Sequence, residues 1–427
     1  MIPPRETHHV FDAGSLPTAL RLNPGTMTGG IPDFAVVGGS LSGGLIALAL
    51  RRAHPHLAVV LIEQGATLGG NHRWSWFESD LSPAGQALLS AMRTNRWGNG
   101  YDVRFPAHGR TLPTPYRSLA SADFDAALRA ALPGSSLRTA TAVRAVDASG
   151  VTLADGTRLA ARCVIDCRGQ TPSPHLTGGW QVFMGRHIRT ARPHGVARPI
   201  IMDARVEQVA PDGPDGAYRF VYVLPLGEHD LFVEDTYYAD RPALDEALLA
   251  RRIDDYCALH GWSGEPVGSE TGILPVITGG DFAAFRASQH VAGVAVAGAR
   301  AGLVHPLTSY TLPQAVETAL AIAQAAGDPG VDITAMLDAR AAAHWRATRF
   351  YRMLGTMLFG AAAPDQRFRI FERFYRLSAP LIERFYAARS TPADMARVLL
   401  GRPPVPISGA LRALLVRGAP MAQRGTT

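Results

Sequence analysis

A glycine-rich turn between two apolar runs constrains the fold of this chain more than any other feature. Residues 33–37 form a short apolar run, residues 38–44 read Gly-Gly-Ser-Leu-Ser-Gly-Gly, and residues 45–52 have helical character. A second apolar run, residues 57–62, ends at Glu63. This order predicts a strand, a helix and a second, parallel strand joined by a right-handed crossover.

The residue types in this unit predict a dinucleotide site. Gly38 and Gly43 let the backbone turn tightly and approach a pyrophosphate, whose charge the helix N-terminus attracts. Glu63 falls at the end of the second strand, where a carboxylate accepts hydrogen bonds from a ribose. Ser40 replaces the middle glycine of the G-x-G-x-x-G pattern, and its hydroxyl can itself donate to a phosphate.

Later segments favour FAD over NAD as the dinucleotide. A loop of small residues follows Glu63, which suits a longer cofactor that continues past the second strand. Residues 163–166 form an apolar strand, and residues 291–298 form another, which leads into a glycine turn and a helix from Leu312. A helix N-terminus there suits the pyrimidine edge of a flavin ring, although an ordinary α/β crossover has the same pattern. The residues expected to contact the cofactor are Gly38, Ser40, Gly43, Glu63, Gly70, Asn71, His72, Asp166, Gly302, His305 and Pro306.

Composition limits the other classes of function. The chain has 427 residues, a length that predicts two interwoven domains, and a formal net charge of +6. All of its basic residues are arginines, so neither a Walker lysine nor a Schiff-base lysine is possible. A basic chain can bind nucleic acid or anionic lipid. Because no nucleic-acid module pattern is present, nucleic acid is not an expected partner.

Cysteine usage and hydropathy indicate a cytoplasmic protein. Cys163, Cys167 and Cys257 form neither a disulfide framework nor a zinc motif, so no metal site is expected. The sequence shows no signal-peptide pattern and no apolar run long enough to span a bilayer. We therefore expect the chain to be soluble or to lie on a membrane surface.

Four separated motifs resemble those of bacterial lycopene β-cyclases. They are residues 69–76 (Gly-Gly-Asn-His-Arg-Trp-Ser-Trp), 232–236 (Phe-Val-Glu-Asp-Thr), 300–306 (Arg-Ala-Gly-Leu-Val-His-Pro) and 403–406 (Pro-Pro-Val-Pro). The resemblance runs from about residue 33 to about residue 410. It implies an α/β fold in which a glutathione-reductase-type FAD-binding Rossmann domain is interwoven with a β-sheet substrate domain and followed by a C-terminal helical region.

The expected division of the chain follows from this fold. Residues 1–30 are predicted to be a disordered tail, and residues 31–175 and 276–335 to form the two parts of the FAD-binding domain. Residues 176–275 are predicted to bind the substrate, and residues 336–427 to form a helical region that contacts a membrane.

The resemblance also implies a reaction and an acid that starts it. That family closes rings at the ends of lycopene and related acyclic carotenoids, a redox-neutral reaction that requires FAD in its reduced form. NAD(P)H is expected only as an indirect reductant. Glu234 is the implied acid, because it follows an apolar run and burial would keep its carboxyl protonated. Asp235 is expected to orient Glu234; without the resemblance, a structural turn cap explains either carboxylate.

Other participants are less sharply defined by the sequence. Trp74, Trp76 and Tyr310 could offer π-faces to a carbocation or simply pack in the core. His72 and His305 are candidate bases, although a histidine in such a turn is more often a hydrogen-bonded loop residue. The proton acceptor is not identified.

The last third of the chain suggests membrane contact. Residues 344–359, 367–376 and 381–386 interleave arginine with aromatic residues and methionine at helical spacing. An interfacial helix combines an apolar face with cations for anionic headgroups, which predicts peripheral binding at the inner face of the cell membrane. The alternatives are a single-stranded nucleic-acid surface and ordinary helices that pack on the flavin domain.

Two rival functions also remain open from the sequence. A flavin monooxygenase or a prenyl-chain reductase would use the same architecture to pass electrons to its substrate. A non-catalytic carotenoid-binding flavoprotein would bind lycopene and leave it acyclic.

Overall fold

The computed structural model describes residues 30–169, 172–208, 217–401, 407–415 and 418–421. The tail predicted at 1–30 lies outside these ranges apart from Gly30, and so does the proline motif at 403–406. The strands are β1 (Phe34–Val37), β2 (Val59–Ile62), β3 (Arg73–Phe77), β4 (Asn95–Trp97), β5 (Tyr101–Phe105), β6 (His108–Leu112), β7 (Tyr116–Ala120), β8 (Leu137–Arg138), β9 (Val143–Asp147), β10 (Gly150–Leu153), β11 (Arg158–Ala160), β12 (Cys163–Asp166), β13 (Leu176–Thr190), β14 (Ile200–Asp203), β15 (Tyr218–Pro225), β16 (Asp230–Ala239), β17 (Gly264–Gly280) and β18 (Val294–Val296). The α-helices are α1 (Leu41–Ala53), α2 (Pro83–Leu89), α3 (Ser121–Ala131), α4 (Glu246–Leu259), α5 (Phe282–Gln289), α6 (Leu312–Ala326), α7 (Ile333–Ala347), α8 (Arg349–Ala361), α9 (Phe368–Phe374), α10 (Ala379–Tyr386), α11 (Pro392–Leu399) and α12 (Ile407–Leu415).

A five-stranded parallel sheet forms the Rossmann-type core. Its strand order is β18-β12-β1-β2-β8, and β1 pairs in parallel with both β2 and β12. All four residues of β1 and of β2 are buried, as expected for strands covered on both faces. Helices α1 and α6 pack together on this sheet. The predicted strand–helix–strand unit and the helix from Leu312 are confirmed.

A seven-stranded, mostly antiparallel sheet forms the second layer of the molecule. Its order is β17-β13-β16-β15-β14-β5-β6. Helix α4 packs on one face, and an aromatic-rich core covers the other. Two of its strands, β5 and β6, come from residues 101–112, and β17 extends to Gly280. The sheet therefore differs from the substrate domain expected at 176–275, because strands distant in sequence complete it.

A small antiparallel sheet, β3-β7-β4, lies between the two large sheets. The C-terminal helices close the same layer, since Tyr351, Tyr375 and Phe385 are buried in the aromatic-rich core. The interleaved aromatic residues of this region thus face the protein interior, which corrects their interpretation as a lipid-facing surface. Among the described residues, none of the helices combines the length and the apolar character needed to cross a bilayer.

Candidate cofactor and acid site

The glycine-rich turn lies at the carboxyl end of β1, the edge of a parallel sheet at which ligands bind. Gly38 has a φ of 98°, in the left-handed region that glycine adopts at little cost. At Gly43, a Cβ atom would lie 1.9 Å from the carbonyl oxygen of Gly38, so α1 can approach the turn only without a side chain there. Ser40 caps α1 but its exposed side chain makes no capping hydrogen bond. The first amide groups of α1 are therefore available to an anion.

Glu63 holds the loop that follows β2. Its Oε2 accepts a hydrogen bond from the Gly39 N–H at 2.6 Å, and its Oε1 accepts one from the Gly65 N–H at 2.8 Å. A carboxylate has about four acceptor positions, so ribose hydroxyls can still bind. The turn, the N-terminus of α1 and Glu63 together fit the pyrophosphate and ribose of a dinucleotide.

Asp166 lies at the same edge of the sheet, at the end of β12. Its carboxylate is buried and lies 2.8 Å from Nη2 of Arg168 and 3.0 Å from Nε of Arg300. Arg300 belongs to the late turn that follows β18, in which Gly302 has a φ of 77°. The ion pairs with Asp166 thus tie this turn to the sheet.

His305 connects the late turn to the C-terminal helices. Its Nδ1 accepts hydrogen bonds from the N–H groups of Leu307 and Thr308, and its Nε2 donates to the Phe385 carbonyl in α10 at 3.1 Å. Burial lowers the pKa of His305 to about 4, so the ring is neutral. Because both ring nitrogens are engaged, His305 is not available as a base; Pro306 is buried beside it.

The loop Gly70, Asn71 and His72 reaches the seven-stranded sheet. Gly70 has a φ of 66°, and the Asn71 side-chain amide donates to the Ser269 carbonyl in β17 at 2.8 Å. His72 is half-buried, and burial lowers its pKa. The loop that follows Glu63 therefore ends beside the substrate sheet.

Glu234 lies in the middle of β16, on the face that points toward the small sheet. Its Oε1 accepts a hydrogen bond from Oγ1 of Thr236 at 2.7 Å. Burial, followed by the charge of Glu270, raises the pKa of Glu234 to about 8. The side chain nevertheless keeps part of its surface accessible. Glu234 is thus a carboxylic acid that holds its proton at neutral pH.

Asp235 points to the opposite face of β16, because successive side chains of a strand alternate. It is fully buried and forms an ion pair with Arg219, whose Nη2 lies 2.8 Å from Asp235 Oδ2. The structure therefore does not bring the two predicted carboxylates together. Asp235 affects Glu234 only through its charge, which is a minor cause of the raised pKa of Glu234.

A chain of hydroxyl groups begins beside Glu234. Tyr222 pairs with Glu234 across β15 and β16, and its hydroxyl donates to Oγ of Ser75 at 2.8 Å. The Tyr116 hydroxyl lies 3.1 Å from that of Tyr222 and 2.9 Å from that of Tyr310. Tyr310 therefore lies in the layer that contains the acid.

Trp74 and Trp76 face away from this layer. Along β3 the side chains of Trp74 and Trp76 pack into the core of the parallel sheet, whereas Ser75 and Phe77 face the seven-stranded sheet. Trp74 contacts Phe124 of α3, with ring centroids 5.2 Å apart. The strand thus presents its small and charged residues to the acid rather than its tryptophans.

Sequence reasoning missed three residues near Glu234: Arg73, Tyr222 and Glu270. Glu270 lies on β17 and is 9% exposed, and Arg73 approaches it from β3. Residues 264–269 of β17 are exposed, and Glu270 is the first buried residue of this strand. The sequence therefore has no alternating apolar pattern that would identify Glu270 as a buried position. Only the order of the strands places these side chains together.

Solved structures with a similar fold are flavoenzymes and oxygenases. p-Nitrophenol 4-monooxygenase PnpA from Pseudomonas putida DLL-E4 has a TM-score of 0.55 at 16% identity, over 86% of this chain and 97% of that one. A flavin-dependent halogenase from Xanthomonas campestris has a TM-score of 0.51 at 13% identity, over 92% of this chain and 97% of that one. At these identities the likeness shows the fold alone, and it confirms the predicted flavin-type Rossmann architecture.

The relatives in sequence are far more similar. Lycopene beta-cyclase from Paracoccus sp. is 44% identical over 384 residues, which cover 90% of this chain and 97% of that protein. The Pantoea ananas protein of the same name is 38% identical, over 90% of this chain and 98% of that protein. The family model described as lycopene cyclase protein matches residues 33–412. The chain belongs to the lycopene cyclase family.

Proposed function

We propose that this enzyme is a lycopene β-cyclase that converts the acyclic ends of lycopene, by way of γ-carotene, to the β-ionone rings of β-carotene. The observation that supports the proposal is the position of Glu234 between two sheets, where burial raises the pKa of its carboxyl group to about 8. Acid-initiated cyclisation needs such a group in an apolar, water-poor layer. Related acyclic carotenoids are expected to be accepted as well.

The reaction begins when Glu234 gives its proton to C2 of the end group. The cation formed at C1 is attacked by the C5–C6 double bond, and loss of the C6 proton leaves the β-ring. The substrate gains one proton and loses one, so its mass does not change. Aromatic side chains that surround the layer, among them Phe232 and Tyr222, exclude water and present π-faces to the cation.

We further propose that the dinucleotide is FAD, held by the turn at Gly38, the N-terminus of α1, Glu63 and the loop Gly70, Asn71 and His72. Gly302 and Pro306 belong to the late turn that would line its flavin end. When bound in its reduced form, FAD would supply negative charge that favours a cationic transition state, and preorganised charge of this kind contributes roughly 3–4 kcal/mol per interaction. NAD(P)H acts only as an indirect reductant.

The membrane is the proposed source of the substrate, because a C40 hydrocarbon is insoluble in water. Four leucines near the C-terminus, Leu399, Leu400, Leu414 and Leu415, are exposed by 45–87%. We call them the C-terminal leucines. Exposed apolar side chains next to arginine suit a peripheral contact with anionic lipid at the cytoplasmic face.

Expression in a lycopene-accumulating bacterium tests the function. We expect the wild-type chain to produce cyclic carotenes of unchanged mass and Glu234→Gln to retain FAD but leave lycopene acyclic. Glu265→Gln, at an exposed position on β17, is the matched control and should cyclise normally.

The rival functions give different products in the same experiment. An oxygenated or reduced carotenoid would identify a monooxygenase or a prenyl-chain reductase. Bound but unconverted lycopene in the wild type would identify a carotenoid-binding flavoprotein. Normal activity of Glu234→Gln would remove Glu234 from the mechanism.

A further inference from the structure

A second carboxyl side chain lies level with Glu234 on the same face of the seven-stranded sheet. β13 runs between β16 and β17, and Gly185 on β13 pairs with Glu234 on one side and with Glu270 on the other. Residues that lie directly opposite one another in antiparallel strands point to the same face. Two strand intervals separate the backbones of the two glutamates by about 9–10 Å.

An aromatic side chain lies between the two glutamates. A Cβ atom at Gly185 would lie 2.2 Å from Cζ of Phe232, so the phenyl ring occupies the place over this glycine. The ring therefore lies between Glu234 and Glu270. A substrate end group held beside Phe232 would therefore have the acid on one side and the second carboxyl group on the other.

Glu270 differs from Glu234 in its charged neighbour. Burial raises the pKa of Glu270, but the charge of Arg73 opposes this, and the pKa is about 7 compared with about 8 for Glu234. The Arg73 guanidinium comes from β3 and lies 5.7 Å from the centroid of the Phe232 ring. The cation beside Glu270 favours its ionised form and suits a base, whereas the charge of Glu270 favours the protonated form of Glu234 and suits an acid.

Three other titratable side chains of the predicted site are already engaged. Both ring nitrogens of His305 are hydrogen-bonded, Asp166 is paired with two arginines, and Asp235 lies on the other face of the sheet. In contrast, no donor in the described part of the chain hydrogen-bonds to the Glu270 carboxylate, which is 9% exposed. A carboxylate that no donor engages and that keeps some accessible surface can accept a proton from a substrate beside it.

We propose that Glu270 is the base that removes the C6 proton and completes the ring; this assignment rests on the proposed cyclase function. Glu234 gives its proton to C2, and the electron pair of the C1–C2 double bond forms the new C–H bond. The electron pair of the C5–C6 double bond then forms the C1–C6 bond and leaves a cation at C5. Glu270 takes the C6 proton, and the electron pair of that C–H bond restores the C5–C6 double bond. The proton returns from Glu270 to Glu234 before the next turnover, so nothing else is consumed.

The test compares purified, FAD-loaded wild-type enzyme with Glu270→Gln, Glu270→Asp and the control Glu265→Gln, in liposomes that contain lycopene. Turnover is measured with ordinary lycopene and with lycopene deuterated at C6. For Glu270→Gln we expect turnover to fall by about 10²-fold or more, the usual contribution of a general base. We also expect its deuterium isotope effect to exceed that of the wild type, because loss of the C6 proton becomes limiting. Glu270→Asp keeps a carboxylate and should retain more activity than Glu270→Gln.

Each outcome distinguishes this proposal from the proposed function. If the wild type and Glu265→Gln form no β-rings, the cyclase function itself fails. If they do, and Glu270→Gln matches the wild-type rate, Glu270 is not the base. The proposal is also overturned if turnover falls without a larger isotope effect, or if His72→Gln rather than Glu270→Gln shows that larger effect. If Glu270→Gln does not retain FAD, the test rests on Glu270→Asp. An isotope effect equal to that of the wild type in Glu270→Asp would then contradict a role of Glu270 in C6 deprotonation.

Discussion

At the scale of single residues, Glu234 combines a functional requirement with a cost in stability. Its pKa of about 8 in the folded chain lies above the ordinary 4.5 of a glutamate. The folded state therefore binds more protons than the unfolded state between these values, and the free energy of unfolding decreases as pH rises through this window. This loss of stability accompanies the function, because a carboxyl group in water is ionised at neutral pH and has no proton to give to an alkene.

The dependence of the cyclisation rate on pH should reflect the ionisation of both Glu234 and Glu270. Glu270 must be ionised, so the rate should rise through its pKa of about 7. Glu234 must be protonated, so the rate should fall above its pKa of about 8, by roughly tenfold per pH unit. Turnover in lycopene-containing liposomes, measured from about pH 6 to about pH 9, checks this narrow optimum. A rate that continues to rise above pH 8 would contradict the assignment of Glu234.

Asp235 is expected to matter for folding rather than for chemistry. Asp235→Asn leaves the Arg219 guanidinium buried without its counter-charge, which should lower the free energy of unfolding by about 3–5 kcal/mol. Turnover per FAD-loaded molecule should stay near the wild-type value, because Asp235 lies on the far face of β16. Urea unfolding and single-turnover assays measure the two quantities. The control is Asp230→Asn, which removes a partly exposed ion pair on the same strand and should lower the free energy of unfolding by at most about 1 kcal/mol. A loss of turnover in folded Asp235→Asn would contradict the prediction and support an orienting role for Asp235.

At the scale of elements, strand alternation decides which side chains meet. β3 directs Trp74 and Trp76 into the Rossmann-type core and Ser75 toward the acid, while β16 directs Glu234 and Asp235 to opposite faces. A shift of one residue in either strand would exchange these sets. The pairing of β3 with β7 and of β16 with β13 and β15 fixes the arrangement.

The turn before α1 depends on a missing side chain. Gly43→Ala would place a Cβ atom 1.9 Å from the Gly38 carbonyl oxygen, so α1 must move away from the pyrophosphate position. We expect the purified variant to lose most of its flavin absorbance and about 1–3 kcal/mol of stability, the usual effect of overpacking. Gly98→Ala is the control, because no atom lies within 4 Å of its Cβ position. Full flavin content in Gly43→Ala would show that the cofactor does not bind at this turn.

At the scale of the whole molecule, the acid lies in a layer built from distant parts of the chain. The seven-stranded sheet supplies Glu234 and Glu270, the small sheet supplies Arg73 and Ser75, and the late turn supplies Tyr310. The C-terminal helices close this layer with their aromatic side chains.

The C-terminal leucines should mediate the proposed membrane contact. In flotation with vesicles that contain anionic phospholipid, we expect the wild type to float and the double variant Leu399→Ser, Leu400→Ser to float less. Each leucine that inserts contributes roughly 1.5–3 kcal/mol, so partitioning should fall by about 10²-fold or more. Leu259→Ser, at an exposed leucine of α4, serves as the control. Equal flotation of the double variant and the wild type would place the contact elsewhere.

Features that are set by neighbouring residues or carried by motifs could be predicted from the amino-acid sequence. The glycine turn at 38–44, its two strands and its helix follow from local spacing, because steric demands within a few residues set them. Glu234 was identified by its motif and by the apolar run before it, and its raised pKa agrees with that inference. The placement of Glu270 opposite Glu234, the inward direction of the C-terminal aromatics and the separation of Asp235 from Glu234 were decided only by the tertiary structure. They depend on strand order and register, which arise from pairings between residues far apart in the chain, and such pairings leave no periodic signal in the sequence.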